Sequence, residues 1–185
     1  MQRQMIISVM AKDRPGIIAA VTGAIFELNG DLADLNQSIL RGYLTMILIA
    51  SFGGEVTVDE IFARISAADG GNEFDIIIKP MQTALESGAV TLPSKTYIVT
   101  AQGVNKSGLV YGISSFCYQR NINILDLSTT LTEGRYTMIL QIDLSHVESI
   151  KDLRDDLERY ALEAEMHVMM QHYEIFRVTN EVTMK

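Results

Sequence analysis

Thr45-Met46-Ile47-Leu48 recurs as Thr137-Met138-Ile139-Leu140, 92 residues further along the chain. The same offset carries Gly16 to Gly108, Asn29 to Asn121, Asp34 to Asp126, Leu35 to Leu127, Gly42 to Gly134 and Glu73 to Glu165. An ungapped register held over that length marks one structural unit written twice. The 185 residues therefore divide into two small domains, residues 1–80 and 95–178. A weakly periodic linker, 81–94, joins them, and a polar tail, 179–185, follows. Units this small have a large surface relative to their core and tend to dock on a neighbour or dimerise.

The shared pattern reads outward from that strand. Met5 to Ala11 is apolar and β-prone and ends at Lys12-Asp13-Arg14-Pro15-Gly16. A proline there signals the first turn of a helix, where its missing N–H would have had no helical partner. Ile17, Val21, Ala24, Ile25 and Leu28 then recur at helical spacing. Asn29-Gly30 stops the helix, Asp31 to Leu40 and Tyr43 to Phe52 form a hairpin about Arg41-Gly42, and a second helix follows. That helix is marked by Val58, Ile61, Phe62 and Ile65 in one copy and by Ile150, Leu153, Leu157 and Tyr160 in the other. Final strands are expected near Glu73–Lys79 and Glu165–Val178. The order βαββαβ with helices on one face of an antiparallel sheet is an α+β, ferredoxin-like sandwich, present in tandem.

Alternation in the second hairpin strand separates two faces. Leu44, Met46, Leu48, Ala50 and Phe52 share one, matched by Tyr136, Met138, Leu140, Ile142 and Leu144. The opposite face carries Arg135, Thr137, Ile139, Gln141 and Asp143 in the second copy but Tyr43, Ile47 and Ile49 in the first. The latter is more apolar than solvent requires and is expected to pack on another sheet or subunit.

Composition narrows the function. The net charge is −8, with 15 basic against 23 acidic residues and no basic run, which disfavours direct nucleic-acid binding. Cys117 is the single cysteine, so no intrachain disulfide forms, and the expected location is cytoplasmic. No membrane span, signal peptide or cofactor motif is read in the chain. Cys117 sits in the helical pattern of Leu109, Ile113 and Phe116 and reads as a core thiol. His167 and His172 are an odd number of positions apart and would face opposite ways on one strand, which argues against a shared metal site.

The loop Asp13-Arg14-Pro15-Gly16 has a chemistry of its own. A helix start aims unpaired N–H groups outward and favours an anion such as a carboxylate. Gly16 lets a ligand approach the backbone closely, and Ile17 follows it. Asp13, Asn29 and Asp31 are expected to accept hydrogen bonds from an ammonium group, and the two ends together describe a free amino acid. The same four residues are also a plain turn and helix start. In the second copy Asn105-Lys106-Ser107-Gly108, followed by Leu109, replaces the loop, Asn121 is kept, and Asn123 replaces Asp31. Either two unequal sites or one site and one structural copy would follow.

The run Ile6-Ile7-Ser8-Val9-Met10-Ala11-Lys12-Asp13-Arg14-Pro15-Gly16-Ile17-Ile18, continued by Asn29-Gly30-Asp31 and the hairpin with Thr45-Met46-Ile47, resembles the start of an ACT domain. The chain as a whole, two such units and little else, is similar to the glycine cleavage system transcriptional repressor family. The loop is shared by several subfamilies, deformylase regulatory domains among them. The resemblance implies a ligand held by the first loop and by a strand or helix of a partner module. It also implies regulation without catalysis, with an amino acid such as glycine or serine altering contact with a transcription-factor partner. The apolar Tyr43, Ile47 and Ile49 face favours assembly, either within the chain or as a homodimer.

Two other readings stand beside it. Ferredoxin-like pairs can bind RNA, though the open face lacks the stacked aromatics such modules use. An interaction module with no ligand is the other, while a cryptic enzyme rests only on Asp13 and Asp31 lying near one loop.

Overall fold

The computed structural model describes residues 3–68, 74–81 and 92–181. It divides into two compact units, Met1–Gly88 and Ala89–Lys185. The first runs β1 (Arg3–Lys12), α1 (Ile17–Glu27), β2 (Asp31–Leu40), β3 (Tyr43–Phe52), α2 (Val58–Ala68) and β4 (Asp75–Pro80). The second runs β5 (Thr96–Val104), α3 (Leu109–Gln119), β6 (Asn123–Thr132), β7 (Arg135–Asp143), α4 (Ile150–Glu163), β8 (Met166–His172) and α5 (Tyr173–Glu181). The sheets have the order β2-β3-β1-β4 and β6-β7-β5-β8, with every neighbour antiparallel. Both copies are thus the ferredoxin-like sandwich that the periodicity called for.

Each sheet buries one face under its helices. In the first unit Met5, Ile7, Val9 and Ala11 of β1 and Leu44, Met46, Leu48, Ala50 and Phe52 of β3 point inward. Val21, Ala24 and Ile25 of α1 and Ile61 and Ile65 of α2 close over them. Each fully buried aliphatic side chain stabilises the unit by about 1.5–3 kcal/mol relative to exposure. The second unit repeats this with Val99, Ala101, Met138, Leu140 and Ile142 under Ile113, Phe116, Leu153 and Leu157.

The duplication reaches to backbone detail. Both hairpins turn on two residues with positive φ, Arg41-Gly42 and Glu133-Gly134, as a tight turn matching strand twist requires. Both edge strands shift register at one residue, between Leu32 and Asp34 and between Ile124 and Asp126. Both first helices end alike: Asn29 N–H donates to Phe26 O and Gly30 N–H to Ile25 O, as Asn121 N–H does to Tyr118 O and Ile122 N–H to Cys117 O. These paired bonds, with Asn29 (φ 53°) and Asn121 (φ 54°) left-handed, form a Schellman cap.

Three local expectations are corrected. The last strand stops at His172 instead of Val178. Its partner β5 begins at Thr96 and pairs Tyr97 with His172, so no strand remains to bond with, and the chain meets its own backbone needs in α5. The first residues of the expected tail, Thr179 to Glu181, belong to that helix. Pro15 lies ahead of the helix; Gly16 is the capping residue and Ile17 the first in α1. Glu73, most of the 81–94 linker and residues 182–185 lie outside the described residues.

Candidate functional site

The Asp13–Gly16 loop joins β1 to α1. Asp13 N–H donates to Gly42 O at 2.8 Å, tying the loop to the hairpin turn. Gly16 is left-handed (φ 95°) and caps α1 with no side-chain hydrogen bond. A β-carbon at Gly16 would meet nothing within 4 Å, so conformation rather than crowding selects glycine there. Asp13, Arg14, Pro15 and Gly16 are exposed, whereas the Ile17 side chain is buried in the core and offers only its backbone outward. The Arg14 guanidinium stands over the Phe74 ring at 5.9 Å.

The second loop is built alike. Asn105 N–H donates to Gly134 O at 3.2 Å, and Gly108 (φ 87°) caps α3 without a side-chain bond. Asn105, Lys106 and Ser107 are exposed, and the Leu109 side chain is buried. Lys106, at the position of Arg14, pairs with Glu165 at 3.0 Å.

The remaining predicted residues sit elsewhere. Asn29 and Asp31 flank the far end of α1, an 11-residue helix, about 16 Å long at 1.5 Å per residue. Asp31 pairs with Ser51, which is level with Gln4 at the opposite end of β1 from Lys12. The expected meeting of Asp13 with Asn29 and Asp31 around one ammonium group therefore does not occur within a unit. Residues that flank a helix are neighbours in sequence and are held apart by its length. The same separation keeps Asp13 and Asp31 of one unit from acting as a pair. Asn121 and Asn123 are likewise distant from Asn105, Ser107 and Gly108.

The far end of the second unit does hold a cleft of about 470 Å³, lined by Tyr118, Asn121, Ile122, Asn123, Asp143 and His146. Asp143, expected on the outer face of its strand but not among the binding residues, ends β7 and pairs in register with Asn123. Ser145 donates to Asp143 Oδ1 from both its hydroxyl (2.6 Å) and its backbone N–H (2.8 Å). These bonds hold the carboxyl below its ordinary range, and the nearby His146 adds to the lowering. The register offered a signal for this residue: Asp31 faces Ser51 in one copy, and Asn123 faces Asp143 in the other.

Other polar features are structural. Between α3 and α4, Arg120 donates to Asp156 Oδ2 from Nη2 (2.9 Å) and Nε (3.2 Å) and stacks on Phe116 at 3.9 Å. Cys117 is buried, and desolvation pushes its thiol up to about 11, which suits a packing role and not a nucleophile. Among the described residues there is no group of three His, Cys, Asp or Glu placed to hold a metal ion. No described helix is long and apolar enough to cross a membrane.

Comparison with known proteins matches two stretches, residues 3–69 and 95–171, to the ACT domain family model. A UPF0237 protein of Clostridium perfringens is 29% identical over 86 residues, covering 46% of this chain and 97% of that protein. One from Methanopyrus kandleri is 34% identical over 86 residues, covering 46% and 96%. Each such relative has the length of one unit. Two solved structures extend across both units. An unknown protein from Galdieria sulphuraria superposes with a TM-score of 0.70 at 16% identity, covering 93% of this chain and 99% of that one. A candidate glycine cleavage system transcriptional repressor does so with a TM-score of 0.70 at 15% identity, covering 92% and 97%. At these identities the likeness is one of fold.

Proposed function

The chain belongs to the ACT domain family, and on that premise we propose that it is a non-catalytic sensor of a small free amino acid, glycine or serine being the first candidates. ACT domains are regulatory, ligand-binding modules. The observation that carries the reading is the α1 start: exposed, capped by left-handed Gly16 with no side chain, and tied to the hairpin. Backbone N–H groups there are preorganised for a carboxylate, and Asp13 beside them suits an ammonium group. Because Asn29 and Asp31 lie at the other end of the unit, they would join that site only from a second copy of the chain. The reading thus includes a homodimer.

The signal passes to a protein partner, a transcription factor in the reading favoured by the two-unit architecture, within the cytoplasm. The acidic balance of the chain supports protein contact over direct contact with DNA. A ligand changes that contact only by binding two assemblies with different affinity.

Calorimetric titration and thermal shift of the full chain against the twenty amino acids test this. One or a few small amino acids should raise the melting temperature in a concentration-dependent way. No heat and no shift with any of them would end the amino-acid reading.

A further inference from the structure

The corner that holds the cleft in the second unit differs from the same corner of the first by a paired exchange. Position for position, Asp31 and Ser51 become Asn123 and Asp143. The carboxylate has crossed from the first hairpin strand to the second while the register position is unchanged. Loss of the acid at position 123 is thereby compensated, and the corner keeps one negative charge in each copy.

The cleft joins that charge to a complementary set of groups. Ser145 engages Asp143 Oδ1 twice, and Oδ2 has no partner among the described residues. His146, exposed on the following turn, offers a ring N–H. The Asn123 amide can donate and accept beside them. At the rim stands Tyr118, 85% exposed, and the equivalent residue of the first unit is Phe26, 79% exposed. Both copies thus place an aromatic ring in solvent at this corner, and an aromatic face attracts an ammonium group. The volume, about 470 Å³, falls among small-molecule sites.

We propose that this cleft is an amino-acid-binding site of the second unit, with Asp143 holding the ammonium group, His146 the carboxylate, Asn123 orienting both and Tyr118 covering the cation. It rests on the amino-acid reading above but not on the Gly16 loop. Asp143 and His146 stand on one unit, so the cleft requires no second copy to be complete.

The test is calorimetric titration of the full chain, and of its Asp143→Asn, His146→Ala and Asp13→Asn variants, with each of the twenty amino acids. Asp143→Asn keeps an oxygen for Ser145 to bond, and exposed His146 contributes nothing to the core, so both variants should fold, with Asp143→Asn giving up only the modest stability that the Ser145 bonds lend the charged carboxylate. Each is expected to weaken binding at one site by about tenfold or more, the scale of a lost charge-assisted hydrogen bond. Asp13→Asn should leave that site unaffected. If the parent chain binds an amino acid and neither cleft variant weakens it, the cleft is overturned while the sensor reading survives. If the parent chain binds none of the twenty, both fall together.

Discussion

Gly30 and Phe52 occupy one corner of the first core, and their counterparts Ile122 and Leu144 occupy the same corner of the second. A β-carbon on Gly30 would lie 2.5 Å from Phe52 Cε1 and 2.8 Å from Ile25 Cγ2. Phe52 is fully buried and has nowhere to go. Gly30→Ala should therefore destabilise the first unit by about 1–3 kcal/mol in urea denaturation, the usual cost of overpacking. Gly30→Ala combined with Phe52→Leu should recover most of the loss, since the second unit already works with Ile122 beside Leu144. Gly112 gives the contrast: its added carbon would meet the Tyr160 hydroxyl at 2.5 Å, the tip of a side chain that can swing away. Gly112→Ala should change stability by less than about 1 kcal/mol, helped by the better helix propensity of alanine. Such pairs could not be seen in the sequence as contacts. The offset of 92 aligned the residues, but only the folded corner shows that a small–large pair in one copy replaces a medium–medium pair in the other.

The second helices begin with the same device in two spellings. At Thr57-x-x-Glu60 the Glu60 carboxylate accepts from Thr57 N–H (2.8 Å) and hydroxyl (2.9 Å), while Glu60 N–H donates to Thr57 Oγ1 (3.2 Å). At Ser149-x-x-Asp152, Asp152 N–H donates to Ser149 Oγ at 3.2 Å. Ser149→Ala should cost about 1 kcal/mol in thermal or urea unfolding. The Thr57 bonds hold the Glu60 carboxyl below its ordinary value of 4.5. A lowered acid stabilises the fold above its unfolded value and loses that contribution as pH falls through the folded one. Glu60→Gln should therefore flatten the acid side of the stability profile below about pH 5, read as the urea midpoint against pH. Element existence was legible because apolar spacing alternates cleanly between periods of two and near four. The strand running into α5 was not: Met166, Val168 and Met170 alternate, and Tyr173-Glu174-Ile175-Phe176 fits either period. The length of the partner strand decided it. The arrangement of the candidate site was hidden for a related reason, since both ends of a helix look adjacent on paper, and the carboxylate proposed for the second cleft comes from across a hairpin.

At the scale of the whole molecule the two units share a scaffold and differ on their outer sheet faces. In the first, Ile6, Met10, Tyr43, Ile47 and Ile77 are all exposed on the face away from the helices, Ile47 by 52%. In the second, Gln102, Arg135 and Gln141 stand where Met10, Tyr43 and Ile49 stand in the first. The second unit still keeps Ile98, Ile139 and Met169 on that face, so the first is the more apolar of the two, and its wider exposed apolar patch suits a homodimer contact. Ile47→Lys should weaken self-association in sedimentation equilibrium by at least about tenfold, because a charge would have to be desolvated. A parent chain that stays monomeric at all concentrations would refute the contact. The Gly30–Phe52 corner has a last consequence, for inheritance. A duplicated gene can exchange segments between its own halves, and near-identical halves would be homogenised. Here a crossover placed between the first helix and the hairpin would join Ile122 to Phe52, which overfills the corner, or Gly30 to Leu144, which hollows it. Each hybrid should be less stable than either parent, a penalty that opposes exchange between the two halves.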